Sequence, residues 1–140
     1  MKFFFDRNIS LYLARMIGIL ERGHAVRHHD EDPRFTSSTP DIEWISVLGK
    51  DHPAWVVISG DGRILRNKAE FAALREAKLT FFCMSKQWMN TPIYEYAWKF
   101  VKVWPDILEN ATLMSSNQCV FEVTGGKSLK LDLIERWPLG

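Results

Sequence analysis

At 140 residues, 46% of them hydrophobic and 25% charged, the chain is long enough for a buried core and too ordinary in composition for a disordered or fibrous class. A formal net charge of +1 excludes a global field for nucleic acid, so any basic surface has to be local. Two cysteines, Cys83 and Cys119, without short motif spacing exclude a disulfide scaffold and a zinc cluster, and every apolar run is far below the ~20 residues of a membrane span.

The N-terminus runs from Met1 straight into Lys2-Phe3-Phe4-Phe5-Asp6-Arg7-Asn8. It has no small-residue cleavage site, which predicts no signal peptide, a cytoplasmic location and free thiols. Three consecutive phenylalanines without polar alternation predict a strand buried on both faces, ending in the carboxylate of Asp6. Residues 9–22 carry Leu13, Met16, Ile17 and Leu20 at helical spacing, with Asn8 or Ser10 as the cap and Gly23 as the stop. Residues 24–29 predict a short second strand. His28 and His29 are adjacent there and face opposite sides, so they read as a polar strand end rather than a paired site. Residues 30–39 are polar and read as a long loop, of the kind that borders sites.

Thr39-Pro40 predicts a helix start with a capping hydroxyl, the helix running over residues 41–48 to Gly49. Trp55-Val56-Val57-Ile58-Ser59-Gly60-Asp61 repeats the first pattern, a buried strand that delivers an aspartate. Asp61-Gly62-Arg63 reads as a turn and residues 67–78 as a helix with Phe71, Leu74 and Ala77 on one stripe. Residues 79–84 predict a third apolar strand. Residues 93–108 predict an aromatic-rich helix broken near Pro105, whose stripe of Tyr94, Ala97, Trp98, Val101 and Trp104 reads as core or as a subunit or partner interface. Residues 120–123 suggest a late strand, and residues 129–134 are short and of undetermined type. Thr124-Gly125-Gly126-Lys127-Ser128 mimics the end of a P-loop, but Phe121 stands where that motif needs glycine, so a turn is expected. Alternating strands and helices imply an α/β fold, three layers α/β/α around a central, mostly parallel sheet, with residues 1–140 as a single domain.

In such a sheet the strand carboxyl ends and the N-termini of the following helices share one edge. Asp6, Asp41 and Asp61 can therefore converge. Two carboxylates about 4 Å apart repel by roughly 4 kcal/mol at an effective dielectric of 20. A divalent cation removes that cost, and Mg²⁺ takes oxygen ligands of this kind. The set has the chemistry of a metal-dependent phosphodiesterase, in which the ion polarises a phosphoryl oxygen and activates water. Glu43 competes with Asp41 from the same helix but points to the opposite face. Asp41 shares its face with Ile45 and Leu48 and is the preferred ligand. An acidic residue in a first helical turn is also favoured by the macrodipole alone.

Four stretches in order resemble the PIN domain, the nuclease fold of VapC-type toxins, and in particular its small branch with an Asp-x-Asn first-strand motif. They are residues 1–10, Glu21-Arg22-Gly23-His24-Ala25-Val26, Pro40-Asp41-Ile42-Glu43-Trp44-Ile45, and residues 55–64. The resemblance covers roughly the first 85 residues. It implies a Mg²⁺- or Mn²⁺-dependent ribonuclease, commonly a toxin neutralised by a cognate antitoxin, with Asp6, Asp41 and Asp61 as catalytic metal ligands and Asn8, Glu43 and Ser59 behind them. The family's fourth acid has no counterpart after Asp61, where Gly62, Arg63, Ile64, Leu65 and Arg66 follow.

Arg7, Arg63, Arg66 and Lys68 form a local basic set beside these acids, suited to a phosphate backbone. Lys86, Trp88 and Tyr94 add a cation and rings on which bases stack. The expected partners are RNA, an antitoxin and a second copy in a homodimer, with no membrane. Other readings stand beside this one. Asp6-Arg7-Asn8-Ile9-Ser10 also resembles the haloacid-dehalogenase signature, but Asn8 cannot transfer the proton that the second aspartate handles there. A response-receiver reading uses acids at the same strand ends. A binding module would keep the acids without the catalysis.

Overall fold

The structure, a computed structural model, describes residues 1–60, 62–114, 118–125 and 129–136. Its elements are β1 (Lys2–Phe5), α1 (Leu11–Leu20), β2 (Ala25–His28), α2 (Asp41–Leu48), β3 (Trp55–Ser59), α3 (Arg63–Arg66), α4 (Lys68–Ala77), β4 (Thr80–Met84), α5 (Ile93–Leu113), β5 (Cys119–Gly125) and β6 (Leu129–Arg136). One six-stranded sheet has the order β2-β1-β3-β4-β5-β6. All neighbours are parallel except β5 and β6, which pair antiparallel. The α/β reading of the sequence holds.

Period-two alternation splits the strands between two cores. Phe3, Phe5, Ile58, Phe82 and Met84 face α1 and α5. Phe4, Val57, Phe81 and Cys83 face α2, α3 and α4. Both faces of β1, β3 and β4 are covered, which is why these strands read as unbroken apolar runs.

The structure departs from the sequence reading at several points. Helix α1 is shorter than residues 9–22, although its cap is Ser10, one of the two expected, whose Oγ accepts the Leu13 N–H at 3.4 Å. Thr39 does not cap α2. Its hydroxyl accepts the Thr36 N–H at 2.8 Å, and the helix starts without a side-chain cap. Arg63 opens the one-turn helix α3 rather than closing a turn. Pro105 does not break α5, which runs 21 residues through it. Proline removes one N–H from the ladder, but Pro105 and Val101, whose carbonyl loses its partner, both lie on the exposed side. The buried stripe Phe100, Val103, Trp104, Ile107 and Ala111 holds the helix to the sheet on either side of the proline. Thr124 and Gly125 belong to β5 rather than to a turn, while the expectation for residues 126–128 lies outside the described residues.

His28 and His29 do face opposite sides, but both are buried rather than solvated. His28 Nε2 donates to the Ile9 carbonyl at 2.7 Å and Nδ1 accepts the Asp30 N–H at 3.0 Å. His29 stacks on Phe35 with ring centroids 5.5 Å apart. No described helix is long and apolar enough to cross a membrane.

The long loop between β2 and α2 is not loose. Asp32 is buried and accepts hydrogen bonds from Arg27 Nη1 at 3.2 Å and from Arg34 Nε and Nη2 at 3.0 and 2.9 Å. Arg34 also grips Asp51, at 3.0 and 2.9 Å, just ahead of β3. Arg7 Nη1 then donates to the Ser37 carbonyl, which brings the chain back to the carboxyl edge where α2 begins. Burial pushes the Asp32 carboxyl up, but the hydrogen bonds and charge of Arg34, joined by Arg27, overcome it and hold the group at about 2 instead of 3.8. A depressed carboxyl stabilises the fold above its unfolded pKa and loses that contribution as pH falls towards the folded value. Urea unfolding should therefore show stability falling between about pH 4 and pH 2. Asp32→Asn should flatten that dependence and cost about 2 kcal/mol at neutral pH. An unchanged acid slope in the variant would contradict the assignment.

Candidate functional site

The chain winds from β1 outward to β2 through α1 on one face, then returns through α2 on the other face to β3, on the far side of β1. The connections therefore diverge between β1 and β3. Their carboxyl ends form a switch point, where open α/β sheets leave a crevice for ligands. Asp6 stands there. Its N–H continues the ladder to the Ile58 carbonyl at 2.9 Å, so its side chain follows Phe4 onto the α2 face. Ser59, following Val57, projects to the same face. Its Oγ donates to Asp6 Oδ2 at 2.5 Å, and both residues are fully buried. The Asn8 N–H lies 3.4 Å from Asp6 Oδ1, a long local turn contact. Gly60 lets the β1–α1 loop come close, since a Cβ there would meet the Asn8 carbonyl and Ile9 Cδ1 at 3.3 Å.

Asp41 opens α2 at this edge and on this face. Trp44 fixes it from below. The indole stacks on Phe4, with centroids 5.7 Å apart, and its Nε1 donates to Asp41 Oδ1 at 2.8 Å. Asp41 Oδ2 accepts no hydrogen bond from a described residue. Glu43 is exposed while Ile45 and Leu48 are buried, as the helical spacing requires. The expectation for Asp61 lies outside the described residues.

Asp6 and Asp41 offer hard oxygen donors, and this chemistry suits Mg²⁺ or Mn²⁺. Among the described residues no three acidic, histidine or cysteine side chains gather as a metal site. Asp6 and Asp41 are two of the three carboxylates in the sequence-derived set, and the third, Asp61, lies outside the described residues.

Two cavities open above the same edge. One, of about 620 Å³, is lined by Arg63, Arg66 and Lys86, with Glu122 from β5. The other, of about 260 Å³, lies towards α1 and α5 and is lined by Trp88, Asn90 and Tyr96 among others. Asn8 and Gly60 border both. Of the sequence-derived basic set, Arg63 and Arg66 reach the larger cavity. Lys68 is exposed at the start of α4 and does not line it, and Arg7 is engaged with Ser37. Tyr94 is 88% exposed and away from the cavities, whereas Trp88 is buried in the wall of the smaller one. Met84, Asn90, Tyr96 and Glu122 escaped the sequence reading. Only the Asn90-Thr91-Pro92 run signalled a turn here.

A three-layer α/β sheet with aspartates at its switch point is the architecture of a PIN-type nuclease. A family model described as "PIN like domain" matches residues 1–86, and the chain belongs to that family. The match ends just past β4, so α5, β5 and β6 lie beyond it. PIN-like domains are generally nucleases that act on RNA. No curated protein and no solved structure matches the chain.

The Ser59 hydroxyl donates directly to Asp6. Ser59→Ala should cost about 1.5–3 kcal/mol in chemical denaturation, the range for a hydrogen bond to a charged group. In an Asp6→Asn background the same change should cost clearly less. Additive losses in that cycle would show that the pair is not coupled.

Proposed function

We propose that this protein is a Mg²⁺- or Mn²⁺-dependent endoribonuclease, the toxin of a toxin–antitoxin pair. One observation supports the reading most. Asp6 and Asp41 occupy the same edge and face of the sheet, and above that edge opens a cavity lined by Arg63, Arg66 and Lys86, with Glu122. Asp6, Asp41 and Asp61 would hold the ion. When bound, it would supply charge stabilisation at the phosphoryl group and a more acidic water.

The chain's own residues do the positioning. Ser59 holds the Asp6 carboxylate in one orientation, and Trp44 does the same for Asp41. Glu43 remains exposed on the same helix. Arg63, Arg66 and Lys86 receive the phosphate backbone, with Lys68 further out. Such contacts fix register without reading sequence. A protein partner fits the outer face of the α1 and α5 layer. There Tyr12, Ile19, Tyr94 and Trp98 are 76%, 75%, 88% and 55% exposed. Large exposed apolar side chains grouped on one layer mark interaction surfaces, here for an antitoxin or a second copy in a homodimer.

Mn²⁺ calorimetry and an RNA cleavage assay test the proposal together. The wild type should bind Mn²⁺ and cut RNA, and chelation should stop the cutting. Asp6→Asn, Asp41→Asn and Asp61→Asn should each lose about 100-fold or more in rate. Full cleavage in chelator, or by Asp6→Asn, would contradict the mechanism. Absence of both binding and cleavage would favour a PIN-like binding module.

A further inference from the structure

The two cavities differ in chemistry. The larger is lined by three cations, Arg63, Arg66 and Lys86, against one carboxylate, Glu122, among the described residues. Among the described residues the smaller has no charged side chain in its lining, which includes Met84, Trp88 and Tyr96 together with the two asparagines Asn8 and Asn90. They meet along Asn8, Gly60, Met84, Met89 and Asn90, which line both. A ligand that bridges them must place negative charge in one and a neutral, polarisable group with hydrogen-bonding edges in the other. A nucleotide has that division.

The wall of the smaller cavity is tied down by several contacts. Trp88 Nε1 donates to the Val123 carbonyl at 3.0 Å, and its ring meets Tyr96 edge-on at 4.9 Å. Gly125 leaves room for that ring, since a Cβ there would lie 2.4 Å from Trp88 Nε1. Gln87 ties the same loop to β5 by accepting the Gly125 N–H at 3.0 Å. Asn90 sits at φ 61°, a left-handed conformation that asparagine adopts more readily than most residues, and it stands at the shared rim. Met89, 60% exposed, borders both cavities and is flexible enough to lie against a planar group.

We propose that the cavity bounded by Met84, Trp88, Asn90 and Tyr96 takes one unpaired nucleobase of the RNA whose backbone lies along Arg63, Arg66 and Lys86. Tyr96 and Met89 supply the surface against which the base packs, over the buried Trp88 and Met84, and the amides of Asn8 and Asn90 address its edge. A paired base cannot enter, so the pocket selects a single-stranded or extruded nucleotide and sets a base preference at one position near the cut. This rests on the ribonuclease reading above.

The test does not use cleavage. Amide and indole NMR signals are followed while AMP, GMP, CMP and UMP are added separately at millimolar concentrations, with ribose 5-phosphate as the baseless control. Saturable shifts of the Trp88 indole and the Asn90 side-chain amide are expected with at least one nucleotide and not with ribose 5-phosphate. Asn90→Gly keeps the left-handed backbone while deleting the amide, and should weaken that binding about tenfold. No shift with any nucleotide, equal shifts with ribose 5-phosphate, or unchanged affinity in Asn90→Gly would each overturn the proposal. RNA cleavage without base binding would sink the pocket and leave the nuclease standing. Base binding without cleavage would do the reverse.

Discussion

The hydrogen bond from Ser59 to Asp6 is the contact on which the carboxyl edge of this sheet depends. A carboxylate with no exposed surface is costly unless its oxygens are satisfied. Ser59 supplies a short, charge-assisted bond from the neighbouring strand, at the level where β1 and β3 stop pairing. The two strands can present these side chains together because their register is fixed by phenylalanine, valine and isoleucine buried on both faces. The crevice exists because α1 and α2 leave it in opposite directions. Packing thus fixes the register, and the register fixes the electrostatics.

The second carboxylate reaches the edge by a longer route. Arg34 clamps Asp32 and Asp51, which pins the middle of the β2–α2 loop to the foot of β3. Arg7 then holds the returning chain at Ser37. With its path set at both points, the loop delivers α2 so that Trp44 covers Phe4 and orients Asp41. A basic residue that reads as a phosphate ligand therefore has structural work at this edge, and the cationic surface that faces the larger cavity comes from α3 and from the turn after β4.

Much of this was legible in the residues. Phe3-Phe4-Phe5 and Trp55 to Ser59 announced buried strands because two-sided burial removes polar alternation. The helix at Asp41–Leu48 and its stop at Gly49 were readable to the residue. The family was readable from the order of four short motifs. The rest depends on contacts distant in sequence. Nothing local tells that Thr39 turns back to Thr36, or that Pro105 is carried by the buried stripe around it. β6 takes its structure from pairing with β5. Asn90, Tyr96 and Met84 form one wall only because Trp88 and Gln87 dock on β5, more than thirty residues later. Ser59 was named beside the acids, but its donation to Asp6 is a product of strand register.

The proposed nuclease function requires that Asp6 and Asp41 together hold a divalent ion at the switch point between β1 and β3. Anomalous diffraction from crystals grown with Mn²⁺ tests it most directly. A peak within coordination distance of both carboxylates is predicted. A peak held by other residues, or no peak at that edge with Mn²⁺ in excess, would contradict it.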